Sequence, residues 1–210
     1  MRNMGKILPI LFNTEAVQAI LSGRKTCARR VIKDAVKENQ EINKNGKGEF
    51  ELYDITSRCS IPKGKIYKPP YQPGDILYVR ETWCDDRQFT HASTAGRYFY
   101  KASENGKFKW KPSIHMPKEI ARIWLKVTDV RVERLQDIDE NGAESEGAMD
   151  NRGFIHSPDD EYDRIHTAKE HFIEIWNSTI KKSELDKYGW SANPWVWVIE
   201  FERCEEPGKE

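Results

Sequence analysis

Apolar residues recur at every second position in about six segments of this chain and at helical spacing in about three, and the two kinds do not alternate. That order argues against a doubly wound parallel sheet, which needs a crossover helix between successive strands. It predicts an α+β chain, with a small mixed or antiparallel barrel and helices at its ends.

The segments fall as follows. Residues 6–12 (KILPILF) read as a short buried strand, which Pro9 places at an edge or an end. Asn13 or Thr14 can cap the helix that follows; Val17, Ile20 and Leu21 share one face of it, and Gly23 suits its C-terminal turn. Residues 25–32 read as extended. Residues 33–48 are polar and nearly free of large apolar groups, so they are expected to be a mobile insertion in one domain covering 1–210. FELYDI at 50–55 alternates like a strand, and the prolines Pro62, Pro69, Pro70 and Pro73 predict an irregular connection over 62–73. Pro73-Gly74-Asp75 is a turn signal before a strand at 76–83. Further strands are expected at 97–102, 121–135 and 194–201. The spacing Asp137-x-x-Glu140 predicts a capped short helix ending near Glu146, and 161–180 has the periodicity of an amphipathic helix.

Composition limits the function. The 34 basic and 34 acidic residues balance, which argues against coating nucleic acid by bulk charge; an anionic partner would need a local patch. Cys27, Cys59, Cys84 and Cys204 are widely spaced and form no C-x-x-C pair, so reduced thiols and no metal are expected. No stretch approaches the ~20 apolar residues that span a bilayer, and the N-terminal apolar run is short for a signal peptide. A cytoplasmic location without membrane contact is the expectation. P-loop, dinucleotide and zincin motifs are absent, and no cofactor is expected.

Three constellations can carry chemistry. Gly23-Arg24-Lys25-Thr26-Cys27-Ala28-Arg29-Arg30 holds four cations and no acid. One of its arginines can bind phosphate while another pairs with an internal carboxylate; the bland alternative is a solvated basic edge strand. Arg80-Glu81-Thr82-Trp83 sets a charged pair in an apolar strand, where Glu81 can pair with Arg29 or Arg30, or can floor a pocket with an aromatic wall. Trp83, Tyr100, Trp110, Trp190 and Trp195 are candidates to stack on a base, each against the alternative of a core role. Glu146, at the end of the short helix, can be a general base or part of an acidic turn.

Together with Trp110-Lys111-Pro112-Ser113-Ile114-His115-Met116-Pro117, Ala121-Arg122-Ile123-Trp124-Leu125 and Asn193-Pro194-Trp195-Val196-Trp197, these blocks resemble the ASCH domain family of the PUA-like superfamily, in its longer phage and prophage type. The resemblance implies a PUA-like barrel whose cleft is lined by the basic motif, and binding of RNA or a modified nucleoside. With the residue readings above, the expected binding set is Arg24, Lys25, Arg29, Arg30, Arg80, Glu81, Trp83, Tyr100, Trp110, Ser113 and Trp195. Some small members of the family are amidohydrolases that remove the acyl group of N4-acetylcytidine with a lysine, a threonine and a glutamate. Lys25 and Glu146 match two of these, while Ala28 stands at the threonine position. Binding therefore ranks first; amidohydrolase or ribonuclease activity and a phage interaction protein without ligand are the alternatives.

Overall fold

A computed structural model describes residues 5–33, 39–56, 59–85, 98–150 and 167–208. In chain order the strands are β1 (Ile7–Leu11), β2 (Cys27–Val31), β3 (Gln40–Lys44), β4 (Phe50–Ile55), β5 (Ser60–Tyr67), β6 (Ile76–Arg80), β7 (Trp83–Asp85), β8 (Tyr98–Tyr100), β9 (Trp124–Arg134) and β10 (Trp195–Cys204). The helices are α1 (Thr14–Leu21), α2 (Glu140–Ser145), α3 (Ala168–Thr179) and α4 (Leu185–Tyr188). The described residues fall into two units. Unit 1 draws on Met1–Thr26, Pro73–Thr128 and Glu200–Glu210, and unit 2 on Cys27–Gln72 and Asp129–Ile199.

In unit 1 the strands run in the order β1-β6-β9-β10. β1 lies parallel to β6, with Ile7 beside Ile76 and Leu11 beside Arg80, and β6 is antiparallel to β9. β1 is an edge strand, which suits Pro9, since proline has no N–H to donate to a second neighbour. Asn13 caps α1 by accepting from the Ala16 N–H at 2.9 Å, and Val17 and Ile20 are buried. Gly23 has φ 78°, a left-handed conformation that glycine adopts without strain, and it turns the chain out of α1. Leu77, Val79, Ile123, Leu125 and Val127 are also buried. β7 and β8 form a short hairpin, with Trp83 opposite Tyr100.

In unit 2, β9, β10 and β2 are neighbours in that order, and β3, β4 and β5 form a separate antiparallel sheet. α3 buries Ala168, Phe172 and Trp176 against Leu135, Ile138, Ala143, Val196 and Val198. Burial of Phe172 or of Trp176 stabilises by roughly 2 kcal/mol. Thr167 and Glu170 close a capping box at the start of α3. Asn193 is the one described non-glycine residue with positive φ, at 45°. Its carbonyl accepts from Arg134 at 3.0 Å and its Oδ1 accepts from the Gln136 N–H at 2.9 Å.

The mixed α+β class follows the sequence pattern, but the described strands lie in three sheets and none closes into a barrel. Several element expectations are corrected. Within the polar segment 33–48, Gln40–Lys44 form β3, held by its neighbour β4 and by buried Ile42, while 34–38 lie outside the described residues. The proline-rich segment 62–73 contains most of β5, which lies at a sheet edge where Pro62 costs no internal hydrogen bond. The strand expected at 76–83 breaks after Arg80 and resumes at Trp83. Asp139, not Asp137, caps α2, accepting from Gly142 N–H at 2.7 Å, while Asp137 accepts from the backbone of Arg134. Of the helix expected at 161–180, α3 covers Ala168–Thr179; 161–166 lie outside the described residues. Among the described residues, no helix is long and apolar enough to cross a membrane.

Candidate nucleic-acid interface

Pairing across β7 and β8 places Trp83, Tyr100, Asp85 and Tyr98 on one face of the hairpin and Cys84 and Phe99 on the other. Lys111 bridges to the other side of Trp83, with its N–H donating to the Trp83 carbonyl at 2.7 Å. The Lys111 Nζ then lies 4.6 Å from the Trp83 ring centroid and 2.7 Å from Asp85 Oδ2. Trp83 is buried with Met116 and Ile120, and its indole N–H has no hydrogen-bond partner. On the hairpin's other face Phe99 stacks on Phe108 with centroids 5.0 Å apart, and Trp110 meets the Phe108 ring edge-on, also at 5.0 Å. Phe99, Phe108 and Trp110 are half-buried, whereas Lys101, Lys107 and Lys109 are exposed.

Beside the hairpin, Glu81 is fully buried and accepts a bidentate pair from Arg122, both bonds 2.9 Å. This replaces the pair with Arg29 or Arg30 anticipated from sequence. The Arg122 guanidinium lies 4.1 Å from the Tyr100 centroid and also donates to Ser103 Oγ at 2.8 Å. Tyr100 donates its hydroxyl to the Ile120 carbonyl at 2.6 Å. Its pKa is raised, chiefly by burial, with Arg122 opposing and Glu81 and Tyr98 adding to the rise. Arg80 donates to the carbonyls of Met116 and Ile114, fixing the short 3-10 turn that Ser113 opens.

The basic segment divides between the units. In unit 1 Arg24 is exposed and donates to Ser22 Oγ at 3.2 Å. Lys25 is buried, with Nζ 5.6 Å from the Phe12 centroid. In unit 2 the Arg29 side chain is 3% exposed and bonds Glu133 at 3.2 Å and Glu146 at 3.3 Å, above the Phe172 ring. Arg131 also pairs with Glu133. Arg29 is thus committed to internal carboxylates. Arg30 is half-buried, donates to the Arg29 carbonyl at 3.1 Å and opposes the upward push of burial on the Tyr71 phenol. Ala28, at the threonine position of the resemblance, is fully buried. Trp195 lies under the Arg134 guanidinium at 4.6 Å, with its indole N–H buried and unpartnered, and Trp190 packs edge-on against Phe172.

The structure therefore brings Arg80, Glu81, Trp83, Tyr100, Trp110 and Ser113 into unit 1 and brings Arg29 to Glu146 in unit 2. Lys25 and Glu146 belong to different units. No family model, curated protein or solved structure matches the chain. Sequence reasoning overlooked Phe99, Phe108, Lys101, Lys107, Lys109 and Arg122 as site residues. A signal was present in Lys107-Phe108-Lys109-Trp110-Lys111, where cations and aromatic rings alternate. Between 101 and 118 the sequence holds Lys101, Lys107, Lys109, Lys111 and Lys118 and one acid, Glu104. Among the described residues, no three His, Cys, Asp or Glu side chains are grouped to hold a metal ion.

Proposed function

We propose that this chain binds nucleic acid, as RNA or a modified nucleoside, and that the working surface lies in unit 1 on the β7–β8 hairpin and residues 101–111. The observation that carries the reading is the contiguous set Phe99, Phe108 and Trp110 bordered by exposed Lys101, Lys107 and Lys109. Aromatic faces stack on bases and lysines neutralise phosphates, and such a patch supplies locally what a chain of zero net charge lacks overall. Arg24, exposed at its turn, is a further phosphate contact in this reading. Membership of the ASCH family and a PUA-like barrel belong to the same proposal, resting on the order of the motif blocks. A cytoplasmic setting fits the four unbridged thiols.

Acyl transfer has weaker support. Ala28 offers no hydroxyl, and the Glu146 carboxylate is engaged by Arg29.

A 12-nucleotide RNA titrated into the full chain at low salt tests the proposal. Binding is expected, and Phe108→Ala with Trp110→Ala is expected to weaken it by about 10-fold or more, since a stacked base contributes roughly 1–3 kcal/mol. Absence of RNA and nucleoside binding at low salt refutes it.

A further inference from the structure

We infer that Asn105-Gly106, on the connection after β8 in unit 1, is a site of spontaneous self-modification that turns an exposed amide into a carboxylate beside Lys101 and Lys107. The chain holds three Asn-Gly pairs, at 45–46, 105–106 and 141–142. In such a pair the glycine N–H gives its proton to hydroxide, and the nitrogen attacks the asparagine Cγ. An N–Cγ bond forms, the Cγ–Nδ2 bond breaks and ammonia leaves. Water then opens the resulting succinimide ring to aspartate or isoaspartate, with no oxidation or reduction. Glycine favours the attack because it has no Cβ to hinder the approach and its backbone turns freely. The step needs an amide that can rotate, a main-chain N–H that can be given up, and water.

The fold meets these needs unequally. Asn45 closes the turn between β3 and β4. Its Oδ1 accepts from the Lys47 and Glu49 N–H groups, each at 3.0 Å, and its Nδ2 donates to Glu49 at 3.3 Å and to Glu51 at 3.1 Å. Attack there breaks these bonds. Asn141 lies in α2, where the Gly142 N–H donates to Asp139 Oδ1 at 2.7 Å and the Gly142 carbonyl accepts from the Glu146 N–H at 3.1 Å. Attack there gives up the cap and unwinds the helix. Residues 103–107, by contrast, are all exposed and lie outside any helix or strand. Packing also keeps glycine at 106, since a Cβ there would stand 2.3 Å from the Phe108 ring, which is stacked on Phe99. The labile pair is therefore maintained by the aromatic cluster beside it.

Both products carry a negative charge at neutral pH. Residues 101–109 hold Lys101, Lys107, Lys109 and Glu104, so their net charge falls from +2 to +1. Isoaspartate also lengthens the main chain by a carbon next to Gly106, against the Phe108 ring. The chemistry stands independently of any ligand; that it weakens the hold on phosphate rests on the nucleic-acid reading above.

The test ages the full chain at 37 °C and pH 8, folded and in urea, and follows the three peptides by mass spectrometry. In the folded chain Asn105 is expected to convert at least about 10-fold faster than Asn45 or Asn141, the factor that about two hydrogen bonds or a helix cap supply, and in urea the three rates should converge. Folded rates at Asn45 or Asn141 that match Asn105, or a folded Asn105 more than about 10-fold slower than in urea, overturn the inference. Titration of a 12-nucleotide RNA reads the consequence. Aged wild type and Asn105→Asp are expected to bind about 3-fold more weakly than fresh wild type, the effect of one added charge acting through water. Asn105→Gln, whose longer side chain closes a ring far more slowly, is expected to keep its affinity on ageing. Equal affinity of Asn105→Asp and fresh wild type overturns the effect on binding. Fresh chain that binds no RNA or nucleoside overturns the nucleic-acid reading and leaves the modification standing.

Discussion

Arg29→Met should be the most damaging single change in unit 2 that keeps side-chain volume. The Arg29 side chain is 3% exposed and that of Glu146 is 9% exposed, with 3.3 Å between the bonded atoms. At an effective dielectric of about 20 the attraction at that distance is about 5 kcal/mol before desolvation is counted. Desolvation offsets most of this while both partners are present. Removing Arg29 takes one cation from a carboxylate that is nine-tenths buried, at a cost of about 3–5 kcal/mol. Glu133 is the less vulnerable carboxylate, because its side chain is 24% exposed. The expected order of destabilisation is therefore Arg29→Met, then Glu146→Gln, then Glu133→Gln. For a chain of this length the first should lower the melting temperature by roughly 6–20 °C. Urea denaturation followed by tryptophan fluorescence gives the free energies. Combining Arg29→Met with Glu146→Gln should recover about 1–3 kcal/mol of their summed loss. A loss below about 1 kcal/mol for Arg29→Met, or a larger loss at Glu133 than at Glu146, would refute the reasoning.

Alkaline stability should depend on Tyr100. Its pKa is raised by burial, so the folded chain keeps the proton that the unfolded chain releases near pH 10; the stabilisation is complete below that pH and is lost as pH rises through the folded value. Urea midpoints between pH 8 and 11 should decline less steeply for Tyr100→Phe than for wild type, and parallel declines would contradict this. Thiol alkylation at pH 8 should proceed in order. Exposed Cys59 reacts first; Cys204 follows slowly, its thiol pushed up by burial and by Glu202 despite Lys126; buried Cys27 and Cys84 wait for unfolding. Mass spectrometry of timed samples reads the order, and equal rates at Cys59 and Cys204 would count against it.

The legible parts of the fold are those where one residue type dominates a local decision. Asn13 and Gly23 bracket α1, and the apolar stripe Phe172, Trp176 defines α3. β6, β9 and β10 carry enough buried aliphatic residues to be read directly. β3 and β5 were not legible, because strands at the edges of a three-stranded sheet expose most of their residues and lose the alternation that marks a half-buried strand. Ile42 alone is buried in β3, and β5 is exposed up to Tyr67. Side-chain partners separated by long stretches were also invisible. Nothing local in Arg29 identifies Glu133 or Glu146, which lie 104 and 117 residues away. Likewise Glu81 meets Arg122 across 41 residues. The alternation of lysine and aromatic residues at 107–111 was visible, but its meaning required β8 to bring Phe99 beside Phe108.

Asn193 changes what the block Asn193-Pro194-Trp195-Val196-Trp197 signifies. The block has the look of a ligand-binding signature, yet its first residue works as a joint. It turns the chain through a left-handed step, while its side-chain oxygen takes the Gln136 N–H and its carbonyl takes Arg134. Pro194 then offers its own carbonyl to the Leu135 N–H at 3.0 Å. Glycine would make the turn but would lose the side-chain acceptor, and aspartate would keep an acceptor while adding a charge. A second chain carrying the same block would thus share with this one a way of launching its last strand, whatever molecule either chain holds.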